Sequence, residues 1–183
     1  MTERKKYELT DEFIEHWSGK KLYRIKALID FGLVVAGSLG GFVESENNLD
    51  HNGNAWVYGN AWVYGNAWVY GNARVYGDAE VYGNARVYGD AEVYGDAEVY
   101  GNARVYGDAE VCEQRSVIWF SVVGTENGTL TIYKSKDGSL LATRGCFSGT
   151  VDEFLAKSAQ VHDEKTKREY ELLIEVAKSR ILG

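Results

Sequence analysis

The chain has 183 residues, no proline and a formal net charge of −7, with 26% of its residues charged. That length suits one elongated domain with caps, or two small domains, and the acidity disfavours duplex nucleic acid and anionic membrane as partners. Two cysteines are too few for a disulfide framework, no apolar run is long enough to span a bilayer, and the start is charged from Glu3 to Lys6 rather than signal-like, so the cytoplasm is the expected location.

Residues 1–40 read as a small N-terminal cap. Thr10-Asp11-Glu12-Phe13 predicts the start of a short helical turn carrying Phe13, Ile14 and Trp17. Ser18-Gly19-Lys20 is a turn signal, and the alternation from Lys21 to Ala27 predicts a strand. Gly37 to Gly41 is a loop leading to Phe42 and Val43.

From Gly53 to Cys112 the chain is ten uninterrupted copies of Gly-Asn/Asp-Ala-x-Val-Tyr, the last ending in Cys in place of Tyr. A fixed short period is the mark of a solenoid. Gly-Asn also signals a hairpin, but in a meander each face would mix Ala and Val with Tyr and charged residues, leaving no apolar face. When all strands run the same way round, Ala and Val point inward and the variable residue and Tyr point outward. Gly and Asn/Asp then take the corner, where left-handed backbone angles suit them.

With an aliphatic residue followed four positions later by a small one, as in Val57 and Ala61, the repeat resembles the left-handed β-helix hexapeptide proteins. The resemblance implies a left-handed parallel β-helix over 41–112 with three hexapeptides per triangular turn. Ten copies make a little over three turns, on the order of 15 Å tall. Val43 and Leu49 fall in the Ala slot of the hexapeptide frame, so the first coil is expected to begin in irregular form near Gly41.

Stacking at an offset of one turn sorts the variable position into three columns. One holds Trp56, Arg74, Glu92 and Glu110, the second Trp62, Glu80 and Glu98, and the third Trp68, Arg86 and Arg104. Residues 53–112 carry three arginines against eight carboxylates, 3 − 8 = −5 of the total −7. Stacked like charges oppose one another. A neighbouring copy would relieve them if Glu80 and Glu98 met Arg86 and Arg104 in a three-fold ring. Trp62 and Trp68 belong to the same expected oligomer interface, and Trp56, Trp62 and Trp68 form a band where the N-terminal cap or a partner is expected to dock.

Residues 113–183 read as an α+β module. Ser116 to Val123, Leu130 to Tyr133 and Leu140 to Thr143 predict a three-stranded meander with turns at Glu126-Asn127-Gly128 and Lys136-Asp137-Gly138. Thr150 and Glu153 form a capping box for a helix through Phe154, Leu155 and Ala159. A longer helix from about Lys165 presents Tyr170, Leu173, Ile174, Ala177 and Ile181 on one side. The whole chain is therefore expected to be mainly β.

The flanks carry a second resemblance. Leu22 to Leu28, Gly40-Gly41-Phe42-Val43-Glu44 and Asn48-Leu49 look like the lead-in of a hexapeptide-repeat family found in phages, prophages and bacteria. Arg144 to Thr150 with Asp152-Glu153-Phe154 is similar to that family's C-terminal module. No enzyme activity is implied.

Left-handed β-helices are often acyltransferases, which need a histidine base and a loop over the cofactor. The repeats hold neither, and His51 at their entrance is the one plausible base. Asp78, Asp96, Glu80 and Glu98 match no cation-loop spacing, and Cys112 and Cys146 lack companions for zinc. No catalytic set, metal or cofactor is expected. Two functions of different class fit. One is a non-catalytic binding protein for a small nucleotide of host anti-phage immunity, in the host cytoplasm if phage-encoded, with Arg144, Arg115, Arg24 and Tyr133 as the candidate ligand-binding residues. The other is a structural or protein-interaction module with the β-helix as a trimerising scaffold.

Overall fold

The structure, a computed structural model, describes residues 4–183. β1 (Tyr7–Glu15) and β2 (Lys21–Ala27) form an antiparallel hairpin, and β2 pairs with β3 (Leu39–Val43). The segment expected to start a helical turn therefore lies in a strand. Its polar residues fall in the register irregularity between Leu9 and Phe13. Pairing with β2 satisfies backbone groups that a single helical turn would leave open.

β3 already belongs to the solenoid, with Val43 beside Val63 and Leu49 beside Val69 in parallel register. Both residues stand in the Val column, not in the Ala slot. The corner from Asp50 to Asn54 is two residues longer than a regular one, which shifts the first coil against the frame. Gly41 takes the small slot, and a Cβ there would lie 2.5 Å from the Ala61 carbonyl oxygen.

β4 to β13 are two-residue rungs recurring every six residues from Trp56–Val57 to Glu110–Val111. From β7 on, each stacks in parallel on the rung one turn earlier, as Arg74 on Trp56, Glu80 on Trp62 and Arg86 on Trp68. With the first coil, every face carries four rungs, so the chain is a parallel β-solenoid of about four turns. Ala and Val of every copy are 0% exposed. Each such Val contributes about 1.5–3 kcal/mol relative to exposure. Corners turn on glycines of positive φ, and at Gly89 (φ 69) a Cβ would stand 2.7 Å from the Gly107 nitrogen of the next coil.

Both ends of the solenoid are plugged. At the N-terminal end the buried Lys6 ammonium donates to the Ala55 carbonyl at 2.7 Å and lies over the Phe31 ring. Burial, opposed by Asp50, pulls its pKa down to about 8. The Asn48 amide donates to the carbonyls of Gly65 and Ala67, and the Tyr7 hydroxyl to that of Leu49. Tyr7 and Phe31 cover Trp56, which is 1% exposed, and His16 of the hairpin packs edge-on to Trp62. The cap thus docks on two of the three tryptophans.

At the C-terminal end sits a four-stranded meander, β14 (Val117–Val123), β15 (Gly128–Lys134), β16 (Leu140–Arg144) and β17 (Phe147–Thr150). The fourth strand is too short to stand out in sequence. Thr150 and Glu153 form the expected capping box of α1 (Val151–Val161), and Asp163 caps α2 (Glu164–Leu182). Strand alternation divides β15 between two cores. Leu130 and Ile132 pack with Phe154, Tyr170 and Ile174, while Tyr133 joins the solenoid core. Among the described residues no helix is long and apolar enough to cross a membrane.

Candidate functional site

The C-terminal sheet continues the solenoid where its next coil would lie, and Arg104 is the joint. Its backbone N–H donates to the Thr131 hydroxyl at 3.0 Å, and its carbonyl accepts from the Thr143 hydroxyl at 2.7 Å. The Tyr133 hydroxyl donates to the Tyr106 carbonyl at 3.1 Å. These contacts replace a missing rung and bring Arg144, next after Thr143, beside Arg104.

A groove of about 380 Å³ opens at this junction, lined by Asn84, Arg86, Asn102, Arg104, Asn127, Gly128, Thr129, Arg144 and Gly145. Arg86 and Arg104 stand directly opposite each other on neighbouring parallel rungs, about 4.8 Å apart along the backbone. The Arg86 guanidinium lies over the Trp68 ring, 5.9 Å from its centroid. Beside this ladder runs a second one, in which Asn66 donates to Asn84 at 3.3 Å and Asn84 to Asn102 at 3.2 Å.

Charge is what sets the groove apart. Among the described residues Arg86 and Arg104 make no ion pair, and no carboxylate lines the groove. Arg144 donates to the Val123 carbonyl at 3.3 Å and, among the described residues, has only the exposed Glu126 at 3.8 Å as a counter-charge. Its Nε is buried without a hydrogen-bond partner. Gly128 makes room for it, since a Cβ there would sit 2.5 Å from Nη1. Guanidinium and carboxamide groups present donors suited to a carboxylate or phosphate.

Arg144 and Gly145 also border a second cleft of about 340 Å³, walled by Phe147, Phe154, Tyr170 and His162, with Lys157 and Val161 at its edge. The two openings share the Gly145 hairpin between β16 and β17.

The other arginines and Tyr133 lie elsewhere. Arg24 is structural: its Nε lies 2.8 Å from Glu12, Nη1 donates to the Gly40 carbonyl and the guanidinium covers Phe42. Arg115 is exposed beside α2, near Glu175 and Arg180, away from the arginine groove. Tyr133 is 1% exposed and plugs the solenoid end, which leaves it no face for a ligand. His51 is held in the cap, with Nδ1 accepting from the Lys6 N–H, Nε2 3.4 Å from Glu46 and its ring stacked on Tyr7.

Tyrosine hydroxyls of the same chain relieve the acidic column. The Tyr64 hydroxyl donates to Glu80 at 3.1 Å and Tyr82 to Glu98 at 3.0 Å. Tyr76 bonds Glu92 the same way, and Arg74 pairs with Glu92. Glu80 and Glu98 still make no ion pair among the described residues. No group of three His, Cys, Asp or Glu there could hold a metal ion.

Sequence reading missed Asn84, Asn102 and Gly128. A signal for the asparagines was present: every Arg copy reads Gly-Asn-Ala-Arg and every Glu copy Gly-Asp-Ala-Glu. The corner residue and the variable residue are sorted together, so the arginine column carries no acid at its corner.

The family model described as YdcK Beta solenoid repeat matches residues 55–71, 67–81, 79–95 and 97–113. The matched stretches all lie in the repeats or at their end and together span less than half of the chain, so the similarity is to a repeat architecture. Among curated proteins the chain has no match.

Proposed function

We propose that this β-solenoid repeat protein is a non-catalytic binding protein that holds a phosphorylated small molecule in the arginine groove. One observation carries the reading. In a chain of net charge −7, three arginines line a single groove with three asparagines and no carboxylate. Arginines stacked on adjacent rungs repel each other, and a bound phosphate would offset that repulsion while accepting from both forks. The class that best suits the groove is a nucleotide-type signal. In the phage or prophage setting implied by the flanking motifs, the protein would sequester such a signal of host anti-phage immunity. His51 fits a non-catalytic role because it is engaged in the cap, and the repeats contain no histidine.

The test is calorimetric titration with pyrophosphate at fixed ionic strength, beside sulfate as a control. The unmodified protein is expected to bind pyrophosphate, and Arg86→Gln with Arg104→Gln to weaken it at least tenfold. Absence of pyrophosphate binding, or full binding in the double variant, overturns the reading.

A second reading, the trimerising scaffold, is favoured by one further observation. Among the described residues, Glu80 and Glu98 on one face and Arg86 and Arg104 on the next all lack an ion-pair partner in their own chain. In a three-fold ring the carboxylates of one copy would fill the arginine groove of the next. Phosphate and partner then compete for the same guanidinium groups, so the two readings are separable by mass.

A further inference from the structure

We infer that the cleft on the far side of Arg144 is a second subsite for the same ligand and takes a planar heteroaromatic group. The inference rests on the arginine groove being an anion site, and it narrows the ligand to the nucleoside diphosphate class. Arg144 and Gly145 line both openings, so a molecule anchored on the arginine ladder reaches the second one by passing a single hairpin.

The two openings differ in character. The groove is lined by polar and glycine residues, whereas the cleft is walled by rings. Phe154 and Tyr170 are buried and meet edge-to-face at 4.9 Å, forming a rigid back wall. Phe147 and His162 are only partly buried and leave ring surface open to the cleft. Ser158 Oγ lies 2.9 Å from His162 Nδ1, which fixes the imidazole against its own helix. A flat heterocycle gains most from such surfaces by stacking, a contribution that tolerates any base because every base has a π-face. Lys157, whose ammonium lies 5.6 Å from the Phe147 ring centre, and Glu126 supply a donor and an acceptor at the edge.

The charged end of the ligand follows from the ladder. Arg86 and Arg104 are in register on adjacent rungs, about 4.8 Å apart, so two neighbouring phosphates can each meet one guanidinium. At about 380 and 340 Å³, each opening is of a size that small ligands occupy.

The experiment compares pyrophosphate with ADP, GDP, CDP and UDP by calorimetry on the full chain at constant ionic strength. At least one of the four nucleotides is expected to bind tenfold or more tightly than pyrophosphate. Val161→Trp, at an edge position that is 63% exposed, fills the cleft from outside the core. It should abolish that tenfold advantage and leave pyrophosphate binding unchanged. His162→Ala, which removes a wall instead of adding bulk, should lower nucleotide affinity alone in the same way. Circular dichroism confirms that both variants are folded. If all four nucleotides bind no more tightly than pyrophosphate, or if both folded variants keep the nucleotide advantage, the heteroaromatic subsite is overturned while the anion site stands. If neither pyrophosphate nor any nucleotide binds, both readings fall together.

Discussion

Arg144 concentrates the consequences of single residues in this fold. Its guanidinium packs on the backbone of Gly128, donates to the Val123 carbonyl and is approached by one exposed carboxylate. The carbonyl is aimed by an unusual turn, because Val122 adopts φ 62 at 73% exposure. A β-branched residue in that region costs on the order of 1–3 kcal/mol, and the surrounding hairpin holds it there. Gly128 is the softer handle. A methyl at this position would meet only the far end of a flexible arginine, so the side chain would yield before the backbone. Gly128→Ala is therefore expected to keep its thermal midpoint within about 2–4 °C, a loss of roughly 1 kcal/mol or less. Pyrophosphate affinity should fall severalfold, as it should in Arg144→Gln. Titration calorimetry and a melting curve on the same sample check both halves.

At the scale of the element, the rungs obey one division of labour: aliphatic inside, stacked rings and charges outside. Val87 is 0% exposed in the middle coil. Val87→Asp would bury a charge with no partner, and an uncompensated buried charge typically costs about 3–5 kcal/mol. Loss of the cooperative melting transition, or a fall of many degrees in its midpoint, is the expected result. The tyrosine ladders make a second prediction. Tyr64, Tyr82 and Tyr100 stack at 5.0 and 4.9 Å, and Tyr76 stacks on Tyr94 at 4.7 Å. Burial, with hydrogen bonds to Glu80 and Glu98, pushes the Tyr64 and Tyr82 hydroxyls well above the usual range. Burial, then Glu92, pushes Tyr76 up to about 12, and the Glu110 bond chiefly raises Tyr94. A folded pKa above the unfolded value means the folded state retains protons that the unfolded state has lost. The contribution is complete below about pH 10, where unfolded tyrosine begins to ionise, and fades as pH rises through the folded values. Stability to urea should therefore drop steeply above about pH 10, with tyrosinate absorbance rising together with unfolding. A noncooperative rise at pH 10 in the folded protein would contradict the ladders.

Across the whole molecule, the caps and the unpaired faces define how copies can meet. Lys6, Asn48 and Tyr7 at one end and Thr131, Thr143 and Tyr133 at the other occupy backbone groups that would otherwise invite end-to-end stacking. That leaves the lateral faces. Under the scaffold reading, each chain offers Glu80 and Glu98 and receives at Arg86 and Arg104, a heterologous contact that closes with three-fold symmetry. Exposed pairs are worth only about 0–1 kcal/mol each, so both rungs must be changed together. Glu80→Arg with Glu98→Arg should reduce a trimer to smaller species by light scattering. Adding Arg86→Glu and Arg104→Glu should restore the trimer. Pyrophosphate should also lower the mass of a ring, whereas a monomer that binds pyrophosphate without change of mass removes the ring and keeps the binding site.

The sequence alone determined the solenoid, because the period, the inward Ala and Val and the corner glycines each fix a local geometry that repeats without needing distant partners. It also determined β2, the capping box of α1 and the apolar side of α2, whose signals are equally local. What it could not decide were contacts between segments far apart in the chain. The strand at Thr10–Phe13 exists because β2 lies beside it, and the first coil keeps its column because the corner after Leu49 is two residues longer than a regular one. Arg86, Arg104 and Arg144 were each visible as charges, two assigned to an interface and one to a ligand. Only the docking of β15 and β16 on Arg104, through Thr131 and Thr143, makes them one groove. Tyr133 shows the converse. Its ring reads as a ligand platform in sequence, but strand alternation turns it toward the solenoid, where its hydroxyl closes the end of the coil.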